Sequence, residues 1–351
     1  MRLFSPLVKR RRAGGTVLLA AVIALLPSAP VVAHGSSGNH GNCREYVLPV
    51  ALEADGPKDQ QIDVTYCSSK KHGKDKIVVT TPGATYTKTY FDWPQKPRQY
   101  SYAYAAMEAG LSVLTYTPVG RVTDKSSRPH SSELTLARNV QVLRQVIDHV
   151  AGQGYRDIFS MGHSVGAGVA LAEAAIDPRV DGLILSGYAH RQRNPTFAAQ
   201  YNHPANQDPA FQGLSLDSGY STTRPGVRGE AFYGTVASRQ VVKYDETHKD
   251  VVSGVLVGGY AADHSAPPET SIARQIRRPV LIVVGTEDKI FCTTTAQPAC
   301  DDQPGMTALE QQYFSEAASV TYEPVRRTGH DLTTATTARY TAHLINNWIR
   351  Q

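Results

Sequence analysis

The sequence predicts an α/β protein: a mostly parallel central sheet with an N-terminal antiparallel hairpin, helices on both faces, and an inserted cap. Three observations predict it. From residue 76 onward, short apolar runs alternate with amphipathic stretches, the pattern of parallel strands buried on both faces and joined by helices. The strand-like residues 157–161 run straight into Gly162-His163-Ser164-Val165-Gly166 and then into a small-residue helical stretch. About 85 residues, 191–275, separate two strands expected to be neighbours, too long for a structureless connection in a compact domain.

Taken in order, the chain opens on Lys9-Arg10-Arg11-Arg12, an apolar run at 16–26, a break at Pro27, and Val31-Val32-Ala33. Basic start, short apolar centre and small residues at −3 and −1 are the layout of a secretory signal peptide cut after Ala33. The run is shorter than the ~20 residues needed to span a bilayer, so no stable membrane span is expected and the protein is read as secreted. Removing residues 1–33 leaves 318 and lowers Lys plus Arg from 36 to 31, level with the 31 acids. The formal charge of +5 therefore belongs to the leader, and charge gives no argument for a nucleic-acid partner. Residues 34–42 are Gly, Ser, Asn and His and read as a polar tail.

Residues 46–50 and 62–67 read as strands of a hairpin. The second places Ile62, Val64 and Tyr66 on one face, with Asp63 and Thr65 on the other. Four cysteines in an exported chain imply two disulfides. Of the three possible pairings, proximity favours Cys43–Cys67, stapling the hairpin, and Cys292–Cys300. The 43/67 spacing is too wide for paired zinc ligands, so no metal is expected.

The next strands are 76–80, 111–116, 157–161, 180–185, 279–284 and 320–324. Between them, 100–109 is helical up to Gly110. Residues 134–150 carry Leu136, Val140, Leu143, Ile147 and Val150 on one stripe, ended by Gly152 and Gly154. Residues 165–175 form a third helix. A terminal helix is expected over 333–350, with Tyr340, Leu344 and Trp348 on one face. The domain organisation is then a signal peptide (1–33), a core (34–190 and 276–351) and a cap (191–275). The cap carries Phe197, Tyr201, Phe211, Tyr220, Phe232, Tyr233 and Tyr244, expected to face a substrate cavity; the alternative is that they pack the insert's own small core.

Gly162-His163-Ser164-Val165-Gly166 fits G-x-S-x-G between strand and helix. The chemistry needs that context: the serine must stand on a tight turn at the sheet edge, and glycines at −2 and +2 let strand and helix approach without a Cβ clash. The helix N-terminus adds amides and positive dipole for a developing oxyanion. A serine hydroxyl needs a base, and with such an elbow the acid and the histidine follow in that chain order. Gly285-Thr286-Glu287-Asp288 follows a late strand and offers Asp288, with Glu287 as fallback. Residues 186–190, the other place for an acid, hold no carboxylate. Thr328-Gly329-His330-Asp331 lies between the final strand and the last helix, which selects His330 as base. The loop at Thr81-Pro82-Gly83-Ala84-Thr85 should give a second oxyanion amide, so the hole is expected from Ala84 and Val165.

From residue 43 to the end the chain resembles the α/β-hydrolase superfamily. Pro82-Gly83-Ala84-Thr85-Tyr86 followed by Tyr90-Phe91-Asp92-Trp93-Pro94 resembles a group of secreted bacterial and fungal hydrolases, which usually carry His-Gly-Ala-Thr-Tyr in that place; here Gly is kept and His is replaced by Pro82. An aspartate at the elbow would imply a dehalogenase or epoxide hydrolase, and Ser164 argues against both. The expectation is a serine hydrolase acting through an acyl-enzyme on carboxylic esters (esterase, lipase or lactonase type) of small-molecule or lipid-like substrates, without cofactor. Amide or peptide hydrolysis with the same triad is one alternative. A non-catalytic binding protein on the same fold is the other.

Overall fold

Strands β1 (Cys43–Val50) and β2 (Gln60–Cys67) pair antiparallel, with Cys43 opposite Cys67 and Val50 opposite Gln60. A Cys43–Cys67 disulfide closes the open end of this hairpin, and Cys292–Cys300 forms the second bridge. The computed structural model describes residues 42–69, 74–190, 194, 196–292 and 297–351. The leader expected over 1–33, and all but the last residue of the polar tail expected over 34–42, lie outside the described residues.

The hairpin is the edge of an eight-stranded sheet in the order β1-β2-β4-β3-β5-β6-β10-β11. Its remaining strands are β3 (Lys76–Thr81), β4 (Ser112–Thr117), β5 (Asp157–His163), β6 (Val180–Ser186), β10 (Val280–Gly285) and β11 (Val320–Val325). β2 meets β4 antiparallel, and from β4 onward every pairing is parallel. The inner strands β3, β4, β5 and β10 are buried almost end to end, as expected of strands covered on both faces. Helices α1 (Pro97–Tyr100) and α2 (Tyr102–Glu108) connect β3 to β4, α3 (Leu136–Ala151) connects β4 to β5, and α4 (Val165–Ala174) connects β5 to β6. After β3 the chain crosses to β4 on one side, then returns to place β5 on the other. The C-terminal ends of β3 and β5 therefore border a topological switch point, where α/β sheets open a crevice for ligands.

Between β6 and β10 the chain builds a small antiparallel sheet of β7 (Asn202–Pro204), β8 (Tyr220–Thr223) and β9 (Val252–Ser253). It adds helices α5 (Phe197–Tyr201), α6 (Arg228–Phe232), α7 (Arg239–Thr247) and α8 (Gly254–His264). This insertion belongs to the same compact unit as the sheet. Helices α9 (Gln303–Gln311) and α10 (Ala338–Arg350) complete the chain. Among the described residues no helix is long and apolar enough to cross a membrane.

Several expectations are corrected. The helix expected over 100–109 is broken at Ser101, whose extended backbone and hydroxyl cap α2 by accepting from Tyr104 N. The terminal helix begins at Ala338 rather than 333, because residues 331–337 form turns. Its buried stripe is Ala338, Ala342, Ile345 and Ile349; of the expected Tyr340, Leu344 and Trp348, the last two flank that stripe, half-buried against the core, and Tyr340 is exposed. Helix α9, rich in Gln with one Gly and one Pro, gave no periodic signal. The second face of β2 is also buried: Asp63 and Thr65 are covered, and Lys88 Nζ reaches Asp63 Oδ1 at 2.9 Å and Glu45 Oε1 at 3.3 Å.

A buried carboxylate that loses its partner is costly. Lys88→Met should destabilise the fold by about 3 kcal/mol in urea denaturation, and adding Asp63→Leu should restore most of it. A single variant within about 1 kcal/mol of the parent would mean that water reaches Asp63.

Candidate active site

β5 ends at His163 and α4 begins at Val165, so Ser164 alone makes the turn. Its backbone sits at φ 54°, ψ −123°, a conformation that costs an L-residue about 1–3 kcal/mol and persists only where the surroundings over-determine it. They do so here. A Cβ on Gly162 would run into the Gly166 carbonyl and the Ala167 backbone, and one on Gly166 into the carbonyls of Thr81 and Pro82. Ser164 N donates to Ser186 O at 2.9 Å, tying the turn to β6. Val165 opens α4, in the first helical turn, where N–H groups have no intrahelical acceptor.

The other two residues selected from sequence come together. Asp288, in the turn after β10, is fully buried. Its Oδ1 accepts from Ile290 N at 2.8 Å and Phe291 N at 3.2 Å, and its Oδ2 lies 2.8 Å from His330 Nδ1. A carboxylate bonded this way fixes the tautomer: Nδ1 carries the proton and Nε2 keeps its lone pair. Burial pulls the His330 pKa down, but the Asp288 charge and hydrogen bond outweigh it and hold the imidazole above its ordinary value of 6.5. The fallback acid, Glu287, faces elsewhere: its carboxylate accepts from Thr235 N and from Thr235 Oγ1 at 3.0 Å.

Ser164 and His330 line one cavity of about 190 Å³, together with Ala84 and Val165. Gly83 lies against the turn, where a Cβ would sit 3.2 Å from Ser164 Cβ. Among the described residues neither Ser164 Oγ nor His330 Nε2 has a hydrogen-bond partner, and such bonds commonly tighten only when substrate is bound. Phe197, Phe232, Ile290 and Phe291 form apolar walls, and α8 adds Val257, Tyr260 and Ala261. Of the seven insert aromatics expected at the cavity, only Phe197 and Phe232 line it. Tyr220 instead donates to Pro129 O at 2.6 Å, Tyr201 to Glu230 at 2.8 Å, and Tyr244 packs on Trp93 and His248. Among the described residues no three His, Cys, Asp or Glu side chains are grouped to hold a metal.

A buried polar network behind the cavity escaped the sequence reading. Arg228 of α6 is fully buried and forms a fork on Asp245 of α7, with both bonds at 2.8 Å. Its Nη1 donates to Thr85 Oγ1 at 2.8 Å, and its guanidinium lies over the rings of Tyr86 and Phe232. The Tyr86 hydroxyl meets Asp245 Oδ2 at 3.1 Å and donates in a short bond to Asp331 Oδ2. Asp331 Oδ1 faces His163 Nε2 at 3.4 Å, and His163 stacks on Tyr90 with ring centres 4.3 Å apart. His163 Nδ1 lies 3.2 Å from the Ser186 carbonyl, which can only accept, so that nitrogen carries the proton. Burial and the neighbouring His330 hold His163 well below 6.5, hence neutral, and its Nε2 then presents a lone pair to Asp331. Burial raises Asp331 from 3.8 to about 6, so only below that pH does a proton on Asp331 serve this contact, and among the described residues neither His163 Nε2 nor Asp331 Oδ1 makes a hydrogen bond. Asp245 is likewise raised to about 6, by burial and by Asp331 against the opposing pull of Arg228. The only sequence signal for any of this was adjacency: Asp331 follows His330, and Thr85-Tyr86 follow Gly83-Ala84.

Comparison with known proteins bears on the family and the fold. The profile described as Alpha/beta hydrolase family matches residues 77–342. No curated protein sequence matches the chain. Among solved structures, the chain is similar to an esterase from Exiguobacterium antarcticum (14% identity, TM-score 0.57, covering 87% of this chain and 99% of that one). It is similar to the monoacylglycerol lipase of Paleococcus ferrophilus (15%, 0.55, 82% and 98%). A soluble variant of the monoglyceride lipase of Saccharomyces cerevisiae, solved with a substrate analogue, is also similar (13%, 0.56, 86% and 95%). At these identities the likeness concerns the fold.

The raised Asp331 gives a pH signature of stability. Unfolded, the carboxyl titrates near 3.8; folded, near 6. Between those values the native state holds more protons than the unfolded chain, so this group's contribution to stability falls as pH rises through that window. Asp331→Asn, which keeps an acceptor for Tyr86, should flatten that fall. Urea denaturation of both proteins at pH 4.5 and 7 reads it; parallel losses in the two would mean that Asp331 does not hold the proton.

Proposed function

The chain belongs to the alpha/beta hydrolase family, and from that premise we propose that it is a secreted serine hydrolase of carboxylic esters. Ser164 is the nucleophile, His330 the base and Asp288 the acid. The observation that carries the proposal is the 2.8 Å Asp288–His330 bond beside a cavity shared with a serine held at φ 54°. In this reading Ser164 Oγ attacks the ester carbonyl as His330 Nε2 takes its proton. Asp288 holds the ring and stabilises the imidazolium, and the N–H groups of Ala84 and Val165 receive the oxyanion. His330 then protonates the departing alcohol. Water, deprotonated by the same histidine, releases the acid from Ser164.

The insertion between β6 and β10 is proposed as a cap, since Phe197, Phe232, Val257 and Tyr260 from it wall the cavity. Among the described residues the walls offer no charged side chain beyond the His330 neighbourhood, which suits a neutral acyl group. Similarity to an esterase and to monoacylglycerol and monoglyceride lipases adds support for an ester substrate. Export is supported by the two disulfides and by the leader-like residues 1–33.

A fluorophosphonate probe should label the wild type and leave Ser164→Ala unlabelled; labelling that survives the substitution defeats the assignment. A set of p-nitrophenyl esters beside peptide anilides should show ester turnover, with Ser164→Ala and His330→Ala each down by about 10⁴-fold or more in kcat. Anilide turnover above ester turnover would make the protein an amidase, and no labelling of a folded wild type would make it a binding protein. The free enzyme needs His330 neutral, and the pKa of this group is raised. The acid limb of kcat/KM should therefore lie above pH 6.5, with activity falling as pH drops through it.

A further inference from the structure

The loop after β3 carries an amide that must face the oxyanion, and its backbone is held from behind by a residue far away in sequence. Arg121 lies in the loop after β4 and is almost wholly buried, at 2% exposure. Its Nη2 donates to the Gly83 carbonyl at 3.1 Å and its Nε to the Tyr86 carbonyl at 2.8 Å. A trans peptide holds its C=O and N–H on opposite sides of the C–N bond. With the Gly83 oxygen fixed on Arg121, the Ala84 N–H points the other way, and Ala84 lines the cavity beside Ser164.

The rest of the loop is held to match. Thr85 sits at φ 60°, unfavourable for a β-branched residue. Its carbonyl accepts from Asp250 N at 2.9 Å and its hydroxyl from Arg228 at 2.8 Å. Asp250, buried just before β9 in the insertion, also supplies the charge opposing Arg121. Its Oδ1 accepts from Val122 N, next to that arginine, at 2.9 Å. A bare guanidinium could not remain buried without such partners.

The geometry points to Arg121 as a positioning residue for transition-state stabilisation: by bridging the carbonyls of Gly83 and Tyr86 it fixes the 83–84 peptide so that Ala84 N–H faces the oxyanion formed on Ser164. This rests on the hydrolase reading and adds to it a residue that touches neither substrate nor the reacting atoms. The planar fork of arginine reaches two carbonyls at once, which a lysine ammonium on a flexible stem does not reproduce.

The test compares the wild type with Arg121→Lys and Arg121→Gln, using a trifluoromethyl ketone matched to the best ester substrate. That inhibitor forms a hemiketal oxyanion with the nucleophile, and its Ki does not depend on the fraction of the sample that is folded. Both variants should raise Ki by about 10²-fold, with kcat falling in proportion and KM little changed. Wild-type Ki in either folded variant overturns the role of Arg121. Failure of the ketone to inhibit the wild type overturns the hydrolase reading and this inference with it. Should both variants fail to fold, the phosphonylated wild type decides by crystallography. Ala84 N within about 3 Å of the phosphoryl oxygen, with Arg121 still bridging Gly83 and Tyr86, supports the role. A turned 83–84 peptide or a displaced guanidinium refutes it.

Discussion

The site depends on the approach of two backbones, the β5–α4 turn at Ser164 and the loop after β3. Gly166 lies so close to the carbonyls of Thr81 and Pro82, and Gly83 so close to Ser164, that neither glycine has room for a side chain without displacement. That contact holds the serine in a backbone conformation it would not choose alone, and it brings amides from both segments to one edge of the sheet. The switch in strand order between β3 and β5 makes it possible, because there two adjacent strands send their connections away from each other, to opposite sides.

Around this contact the protein gathers charge without water. Arg228, Asp245, Tyr86, Asp331 and His163 form one buried chain of polar contacts, and Arg121 with Asp250 flanks it. Four of these residues come from the core and three, Arg228, Asp245 and Asp250, from the insertion. The insertion thus does two things: it walls the cavity with Phe197, Phe232 and α8, and it supplies the partners that hold the loops beneath. A segment tied in by buried ion pairs and hydrogen bonds is expected to move as part of the body rather than as a loose lid, since opening it would strand charges in a dry interior.

Much of this was legible along the chain. The parallel strands of the central sheet were found within a residue or two because buried parallel strands are continuous apolar runs, as in residues 279–284 against the observed Val280–Gly285. Helix α3 announced itself by period and by Gly152 at its end, while its N-cap, Thr135, was seen only in the structure. The elements that failed did so for physical reasons. α9 lacks periodicity, the last helix centres its buried stripe on Ala338, Ala342, Ile345 and Ile349 and leaves Tyr340 exposed, and the polar face of β2 is covered by Lys88 from a later segment. At the site, Asp288 and His330 were readable because each follows a strand that the pattern located, and the structure brings the pair to hydrogen-bond distance.

By itself, the sequence determined what is local: which segments are strands, where the serine turn falls between two glycines, and which carboxylate and imidazole follow late strands. Local pattern governs these because backbone period and glycine's freedom act over a few residues. Only the tertiary structure decided which insert aromatics reach the cavity, that Arg228 and Asp245 lie behind it, and that Arg121 grips Gly83 and Tyr86. Those facts depend on groups 17 to 143 positions apart meeting where water is excluded. Hydrogen bonds and charges gain their strength from that burial, and burial is a property of the folded whole.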